Sequence, residues 1–386
     1  MHLIADTGSL RALCDRLAAS RYITVDTEFM RDATFWPRLC LVQVASSDEA
    51  AAIDAMAPDI DLAPLFALMR DPGVLKVFHA ARQDIEIFYH LDGHVPSPVF
   101  DTQVAAMVCG FGDQAGYEKL VAKLARASID KAQRFTDWAR RPLTRRMYDY
   151  AISDVTHLRV VYEKIAARLA RDGREGWLAE EMGTLTDPAT YRLDPADAWL
   201  RVKTRLRKPR QLAILREVAG WREAEAQRRD VPRNRVLREE ALNEIAAQEP
   251  RTREELWKLR SLSRGHIGKD SADALLAIVE EVRGAPPSTY PKERKPAPAA
   301  NHAGPSADLL KVLLKLRCEE NEVAQKLVAS ADDIEAIARD DGAEVRALRG
   351  WRREIFGEDA LALKHGRIAL GIENGSIRVI GNGSRG

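Results

Sequence analysis

The sequence predicts an α/β domain, a mixed sheet flanked by helices, followed by mainly α-helical modules. Three observations carry this expectation. Residues 1–170 alternate short β-branched runs with segments of helical apolar spacing, the pattern of a sheet covered by helices. Residues 200–283 keep a helical pattern with no strand-like run among them. A Pro/Ala-rich stretch, 285–305, then separates a last segment that returns to helix and ends in alternating residues around Asn374-Gly375, a hairpin signal. The 386 residues have room for two or three domains, with expected divisions 1–190, 200–284, 285–305 and 306–386.

Within the first division, Leu3-Ile4 begins a strand and Ser9 to Leu17 is helical by its leucine spacing. The run Tyr22–Phe29 is rich in β-branched and aromatic residues and reads as the central, buried strand. Leu39–Ala45 and Ala51–Asp54 follow as strands, the first able to form a hairpin with its neighbours. Leu62–Met69 reads as helix, Val74–Phe78 as strand and Arg82–Leu91 as helix. Thr102–Leu124 and Leu143–Leu169 read as helices, and the Thr-Asp-Pro and Asp-Pro pairs of residues 182–198 mark a boundary.

Composition narrows the function classes. Apolar content is 46% and charged content 30%, as in a soluble globular chain. Net charge is +1, so local charge rather than a global field must point to a partner. Cys14, Cys40, Cys109 and Cys318 form no CxxC pair, which argues for a reducing compartment and against a zinc ribbon. With neither a signal-peptide pattern nor a membrane-length apolar run, the expectation is a cytoplasmic protein without a membrane partner. No GxxxxGK[ST] or GxSxG appears, so phosphate-loop and serine-hydrolase readings lack support.

The chemistry centres on Val25-Asp26-Thr27-Glu28-Phe29. Alternate strand side chains share a face, so Asp26 and Glu28 project together. Two like charges at a buried strand end repel and lose hydration, and a divalent cation is the simplest compensation. The alternative for such a pair is a solvated, salt-bridged strand end. Three residues add to the pair. Asp84 lies in His79-Ala-Ala-Arg-Gln-Asp84, early in a helix after a strand, where an acid also serves as a dipole partner. Tyr150 and Asp154 stand at i, i+4 on one helical face. Four carboxylates and a phenol suit phosphodiester hydrolysis, in which two divalent ions roughly 3.5–4 Å apart activate water and stabilise the leaving oxygen. Hard Mg²⁺ or Mn²⁺ ions prefer carboxylate oxygens. Asp26, Glu28, Asp84 and Asp154 are therefore the expected ligands of two ions, and Tyr150 the group that orients the attacking water. A phenolate base is disfavoured by a free tyrosine value of about 10.

These motifs resemble ribonuclease D, of the DEDD exonuclease superfamily. The resemblance lies in Val25–Phe29, in His79-Ala80 through Asp84, and in Tyr150-x-x-x-Asp154. Trp36-Pro37, Leu41-Val42-Gln43, Phe100-Asp101-Thr102 and Asp137-Trp138-x-x-Arg141-Pro142-Leu143 also resemble that family's pattern. Its histidine subclass places a His five residues before the last Asp. Asp149 stands there, so the chain resembles the tyrosine subclass. The resemblance implies an RNase H-like fold and a metal-dependent 3′→5′ exoribonuclease that trims structured RNA, notably transfer RNA precursors. It also implies a monomer, with Asp26, Glu28, Asp84 and Asp154 as metal ligands and Tyr150 beside the water. Residues 212–246, with Trp221-Arg222 and Asp230-Val231-Pro232-Arg233, are similar to the nucleic-acid-binding HRDC domain. Residues 306–386, with Gly350-Trp351-Arg352, resemble a second, divergent copy ending in the hairpin.

Substrate contacts are expected from two places. Phe29 and Met30 follow the metal strand and could stack on terminal bases, whereas Phe35 and Trp36 read as core. Gln43, in an apolar strand, is offered either to RNA or to a backbone group. Arg201 to Arg238 carries 13 basic residues against four acids; Arg207, Lys208 and Arg210 are the phosphate contacts proposed from it, against a plain solvated face. His79 reads as a structural histidine, and Gly93 between His90 and His94 ends the helix that would have paired them. The rival functions are a DNA exonuclease on the same scaffold, since only contacts to the 2′-OH tell the sugars apart, and a catalytically silent RNA-binding scaffold.

Overall fold

The computed structural model describes residues 3–130, 136–262, 267–291 and 304–381. In chain order the first part comprises β1 (Leu3–Ile4), α1 (Thr7–Leu17), β2 (Tyr22–Met30), β3 (Arg38–Ala45), β4 (Ala50–Asp54), α2 (Ala63–Arg70), β5 (Leu75–Phe78) and α3 (Arg82–Asp92). It continues with β6 (Val99–Asp101), α4 (Thr102–Val108), α5 (Tyr117–Leu120), α6 (Arg145–Asp172) and α7 (Glu175–Leu185). The helices α8 (Pro209–Arg229), α9 (Arg233–Val236), α10 (Glu239–Gln248), α11 (Arg253–Trp257) and α12 (Lys269–Gly284) follow. The last part holds α13 (Gly304–Glu320), α14 (Gln325–Val328), α15 (Ala331–Arg339), α16 (Gly350–Arg352), α17 (Glu358–Lys364) and the strands β7 (Ile368–Glu373) and β8 (Ser376–Gly381).

Six strands form one sheet in the order β1-β4-β3-β2-β5-β6. Strands β3 and β4 pair antiparallel with Leu41 opposite Asp54, while β5 runs parallel to both β2 and β6. The mixed sheet is the expected one, with β2 inside it. Helix α6 lies on it through Val155, Leu158, Val161, Ile165 and Leu169, all buried. Thr24 Oγ1 on β2 donates to the Val155 carbonyl of α6 at 2.8 Å, joining the two elements that carry the site.

The chain divides into two compact units. One comprises residues 1–28, 41–190 and 298–386; the other comprises 29–40 and 191–297. In the second unit Phe35 is a core residue of the helical module, among Leu215, Val218, Leu242 and Ile245. The Asp230 carboxylate accepts the main-chain N–H groups of Phe35 at 3.0 Å and Trp36 at 2.9 Å, and the Arg233 guanidinium lies 4.6 Å from the Phe35 ring centre. Core packing is therefore correct for Phe35, although the core it joins belongs to helices some 190 residues along the chain.

In the first unit the C-terminal helices pack on α7. The Arg352 guanidinium, 1% exposed, donates to Glu180 at 2.6 Å, to Glu181 and to the Leu327 carbonyl. Trp351 stacks on Trp177 with ring centres 4.4 Å apart. At Gly110, φ is +72° and a Cβ would sit 2.6 Å from the Glu322 carbonyl, so only glycine fits.

Three details differ from the sequence reading. Residues 102–124 are not one helix: Gly110 and Gly112 take positive φ and break α4 from α5. The three-residue strand β6 went unread because it is too short for a period-2 pattern. Residues 202–208 are not helical, and α8 starts at Pro209. The Pro/Ala-rich segment lies largely on residues 292–303, outside the described residues. The hairpin forms as expected, with Ile372 opposite Ile377 around Asn374-Gly375.

Candidate active site

The site grows from β2. Val25 and Thr27 are buried and Asp26 and Glu28 are partly exposed, so the pleat presents the two acids on one face. Asp84 arrives on the first turn of α3, and Thr27 Oγ1 donates to its Oδ1 at 2.5 Å. Asp154 arrives from α6, with its main-chain carbonyl accepting the Tyr117 hydroxyl. Among the described residues one group of acids could share a cation: Asp26, Glu28 and Asp154, with one oxygen from each lying within 4.8 Å of the others. Asp84 stands outside that group, close enough for its charge to bear on Glu28 and for that of Asp26 to bear on it.

The carboxylates are costly as they stand. Burial, then the charges of Asp26, Asp154 and Asp84, pushes Glu28 up to about 10. Burial followed by the charge of Asp26 pushes Asp154 up to about 8, and burial raises Asp26 to about 6. Asp84 is raised by burial and by Asp26 against the pull of Thr27. Asp154 Oδ1 is enclosed and has no hydrogen-bond partner among the described residues. Converging carboxylates of raised affinity for protons, one with an orphaned oxygen, fit a hard divalent cation. The Tyr150 phenol stands beside Asp154, and burial and the charges of the surrounding acids push it upward, so it stays neutral.

Three supporting residues were not assigned from the sequence. Asp101, 2% exposed, accepts the N–H groups of Ala80, Ala81, Gln103 and Val104. It thereby fixes the turn into α3, where Ala80 holds φ at 58°. Tyr117 places Asp154, and Trp138 lies against Tyr150 with ring centres 6.1 Å apart. Their only sequence signal is position: Asp101 and Trp138 fall within the family-like motifs, while Tyr117 falls in none.

The expected substrate contacts fare unevenly. Phe29 and Met30 are partly exposed directly after Glu28. Arg207 and Lys208 are exposed, but Arg210 pairs with Glu249 at 3.0 Å. Much of the basic stretch is similarly paired, Arg201 and Arg233 with the buried Glu223, and Arg228 and Arg229 with Glu225. Gln43 is 0% exposed with neither amide atom partnered. This corrects the expectation: it satisfies no backbone group, and its enclosure removes it from any surface RNA could reach. His79 is structural, bonded to Thr102 at 3.0 Å and pushed down to about 4 by burial.

With this geometry in place, the relatives become informative. Residues 1–170 match the model of a 3′-5′ exonuclease family, and residues 211–279 match the HRDC domain. The chain is 52% identical to ribonuclease D of Nitrobacter hamburgensis, covering 98% of each chain. It is 52% identical to ribonuclease D of Acidiphilium cryptum, covering 98% of this chain and 96% of that one. The chain belongs to the ribonuclease D family. The crystal structure of Escherichia coli RNase D superposes with a TM-score of 0.84 at 30% identity, covering 95% of this chain and 98% of that one. The chain is thus a 3′→5′ exoribonuclease, with an RNase H-like catalytic domain and a helical HRDC domain. None of its described helices is long and apolar enough to cross a membrane.

Proposed function

We propose that this enzyme trims the 3′ ends of structured RNA, chiefly transfer RNA precursors, releasing nucleoside 5′-monophosphates one at a time. The observation that carries the reading is the group Asp26, Glu28 and Asp154, three carboxylates close enough to share a cation. With Asp84 these residues would hold two divalent ions, Mg²⁺ or Mn²⁺. Such ions supply Lewis acidity, lowering the pKa of water and offsetting charge on the phosphate. The chain's own contribution is placement. Tyr150, a neutral phenol half-buried beside Asp154, directs the attacking water through its hydroxyl. Attack on phosphorus in line with the 3′-oxygen leaves the phosphate on the departing nucleotide.

Phe29 and Met30 are placed to stack on or wedge beside the terminal base, and the exposed Arg207 and Lys208 to meet phosphates. Arg210 would have to leave Glu249 to join them. The division into a catalytic domain over 1–190, an HRDC domain over 200–284, a linker over 285–305 and a second divergent HRDC-like domain over 306–386 belongs to the same reading. So do a monomeric state and a cytoplasmic site of action. E. coli RNase D is an exoribonuclease involved in structured RNA processing, which supports structured RNA as the substrate.

The test is a time course on a 5′-labelled, 3′-extended transfer RNA precursor, with the same sequence as DNA alongside. Each runs with Mg²⁺ or with chelator, for wild type and Asp26→Ala. A metal-dependent ladder shrinking by single nucleotides on RNA, absent in the variant, is the expected result. Faster loss of the DNA would overturn the substrate assignment.

A further inference from the structure

The motif Asp137-Trp138-x-x-Arg141-Pro142-Leu143 has no part in the chemistry described so far. It forms the strap that leads into α6, whose N-terminus is capped by Thr144. The Arg140 N–H bonds the Asp137 carbonyl at 3.1 Å, closing a turn with Trp138 inside it. Arg141 ties this turn to the sheet. Its Nε and Nη2 grip both oxygens of Asp54, at the end of β4, at 2.7 and 2.6 Å, while Nη1 donates to the Trp138 carbonyl at 2.7 Å. A forked guanidinium held at both ends fixes direction as well as distance.

The strap presents the Trp138 indole. It is 2% exposed, and its ring lies 6.1 Å from that of Tyr150 at an interplanar angle of 34°. Its Nε1–H is enclosed and has no acceptor among the described residues. A buried donor without a partner is costly, so the indole is not held there by a hydrogen bond. What it has is the ring contact. Tyr150 needs such a contact: helix α6 sets its Cα, and its phenol stands beside Asp154, a residue that a cation would engage. A phenol that keeps its aim when Asp154 turns to a cation must be braced at its ring.

We propose that Trp138 is a positioning residue for Tyr150, anchored through Arg141 to Asp54, so that the sheet aims the phenol. This rests on reading Tyr150 as the group that orients the attacking water. In this role Trp138 acts through the tilt of one ring.

The test is a double-mutant cycle in the full-length protein on the 3′-extended RNA, with Mn²⁺-dependent shifts in Tm as a second readout. Trp138→Ala is expected to lower kcat about tenfold, the order of a lost aromatic contact that serves only the reacting geometry, with KM within about twofold. Trp138→Phe, which keeps a ring but no N–H, restores most of the rate. Trp138→Ala combined with Tyr150→Phe turns over no more slowly than Tyr150→Phe alone, because the brace has nothing left to aim. The Mn²⁺ shift in Tm stays as in wild type. If Trp138→Ala does not fold, Arg141→Lys takes its place in the cycle, with the same expected non-additivity. Losses that multiply in the double variant would overturn the proposal, as would Trp138→Phe being as slow as Trp138→Ala, which would place the N–H on substrate. If Tyr150→Phe alone turns over like wild type, the role of Tyr150 itself falls, and that failure is read before the cycle is closed.

Discussion

Asp101 is the residue whose replacement should reach furthest into the site without touching it. Its Oδ1 accepts from Ala80 at 3.0 Å, Gln103 at 2.7 Å and Val104 at 3.4 Å, and its Oδ2 from the buried Ala81 N–H at 2.9 Å. Burial pushes the carboxyl upward despite these four donors, so its value to the fold lies in acceptor positions and not in its charge. Asp101→Asn keeps the Oδ1 contacts and turns an amide N–H₂ toward Ala81. One enclosed donor is then unpaired, at a cost of about 2 kcal/mol. Asp101→Ala also removes the cap of α4 and the Ala80 contact, for about 4 kcal/mol in all. Ala80 at φ 58° is strained and stays there only while its surroundings hold it. Both variants should therefore let the turn into α3 relax and shift Asp84. The assay is urea unfolding followed by circular dichroism, paired with turnover of 3′-extended RNA at a temperature where each variant is folded. Turnover of Asp101→Asn should fall about tenfold, the scale of a small misplacement in a catalytic array. Asp101→Asn as stable as wild type would refute the acceptor argument. A destabilised variant with unchanged kcat would refute the link to Asp84.

Three further outcomes are expected. In chelator-treated protein, folded Glu28, Asp154 and Asp26 keep protons up to about 10, 8 and 6, whereas their ordinary values are 4.5, 3.8 and 3.8. The folded state binds more protons in that window, so its stability falls as pH rises through it, and Glu28→Gln should raise Tm at pH 8 while abolishing turnover. A lower Tm for that variant in chelator would contradict the direction of the shift. Arg352→Met strands Glu181 against a buried apolar group and should cost about 2–4 kcal/mol, read as a drop in Tm; an unchanged Tm would mean the pair breaks even with its desolvation. Asp230→Ala frees the Phe35 and Trp36 N–H groups, and hydrogen exchange across residues 30–38 should accelerate about tenfold, the equivalent of one to two lost bonds. Exchange at the wild-type rate would show that the Phe35 ring alone holds that loop.

What the sequence determined by itself is the set of features written in short-range pattern. Alternation places Asp26 and Glu28 on one face of a strand, i, i+4 spacing places Tyr150 with Asp154, and Asn374-Gly375 turns a hairpin. Each depends on a few adjacent residues, so the local period is enough. What only tertiary structure decided involves partners far apart in the chain. Glu223, buried, takes up Arg201 from 22 residues away, and Glu249, outside the basic stretch, takes up Arg210, pairings that a running charge count does not reveal. Gln43 looks like a polar contact in an apolar strand, and the sheet encloses it. Phe35 reads as core, but only the fold reveals that the core is that of the helical module. The grip of Asp101 on the α3 turn, and the line from Asp54 through Arg141 and Trp138 to Tyr150, are likewise invisible in local pattern. A carboxylate's partners are chosen by where distant backbone comes to rest, and composition and period carry no record of that.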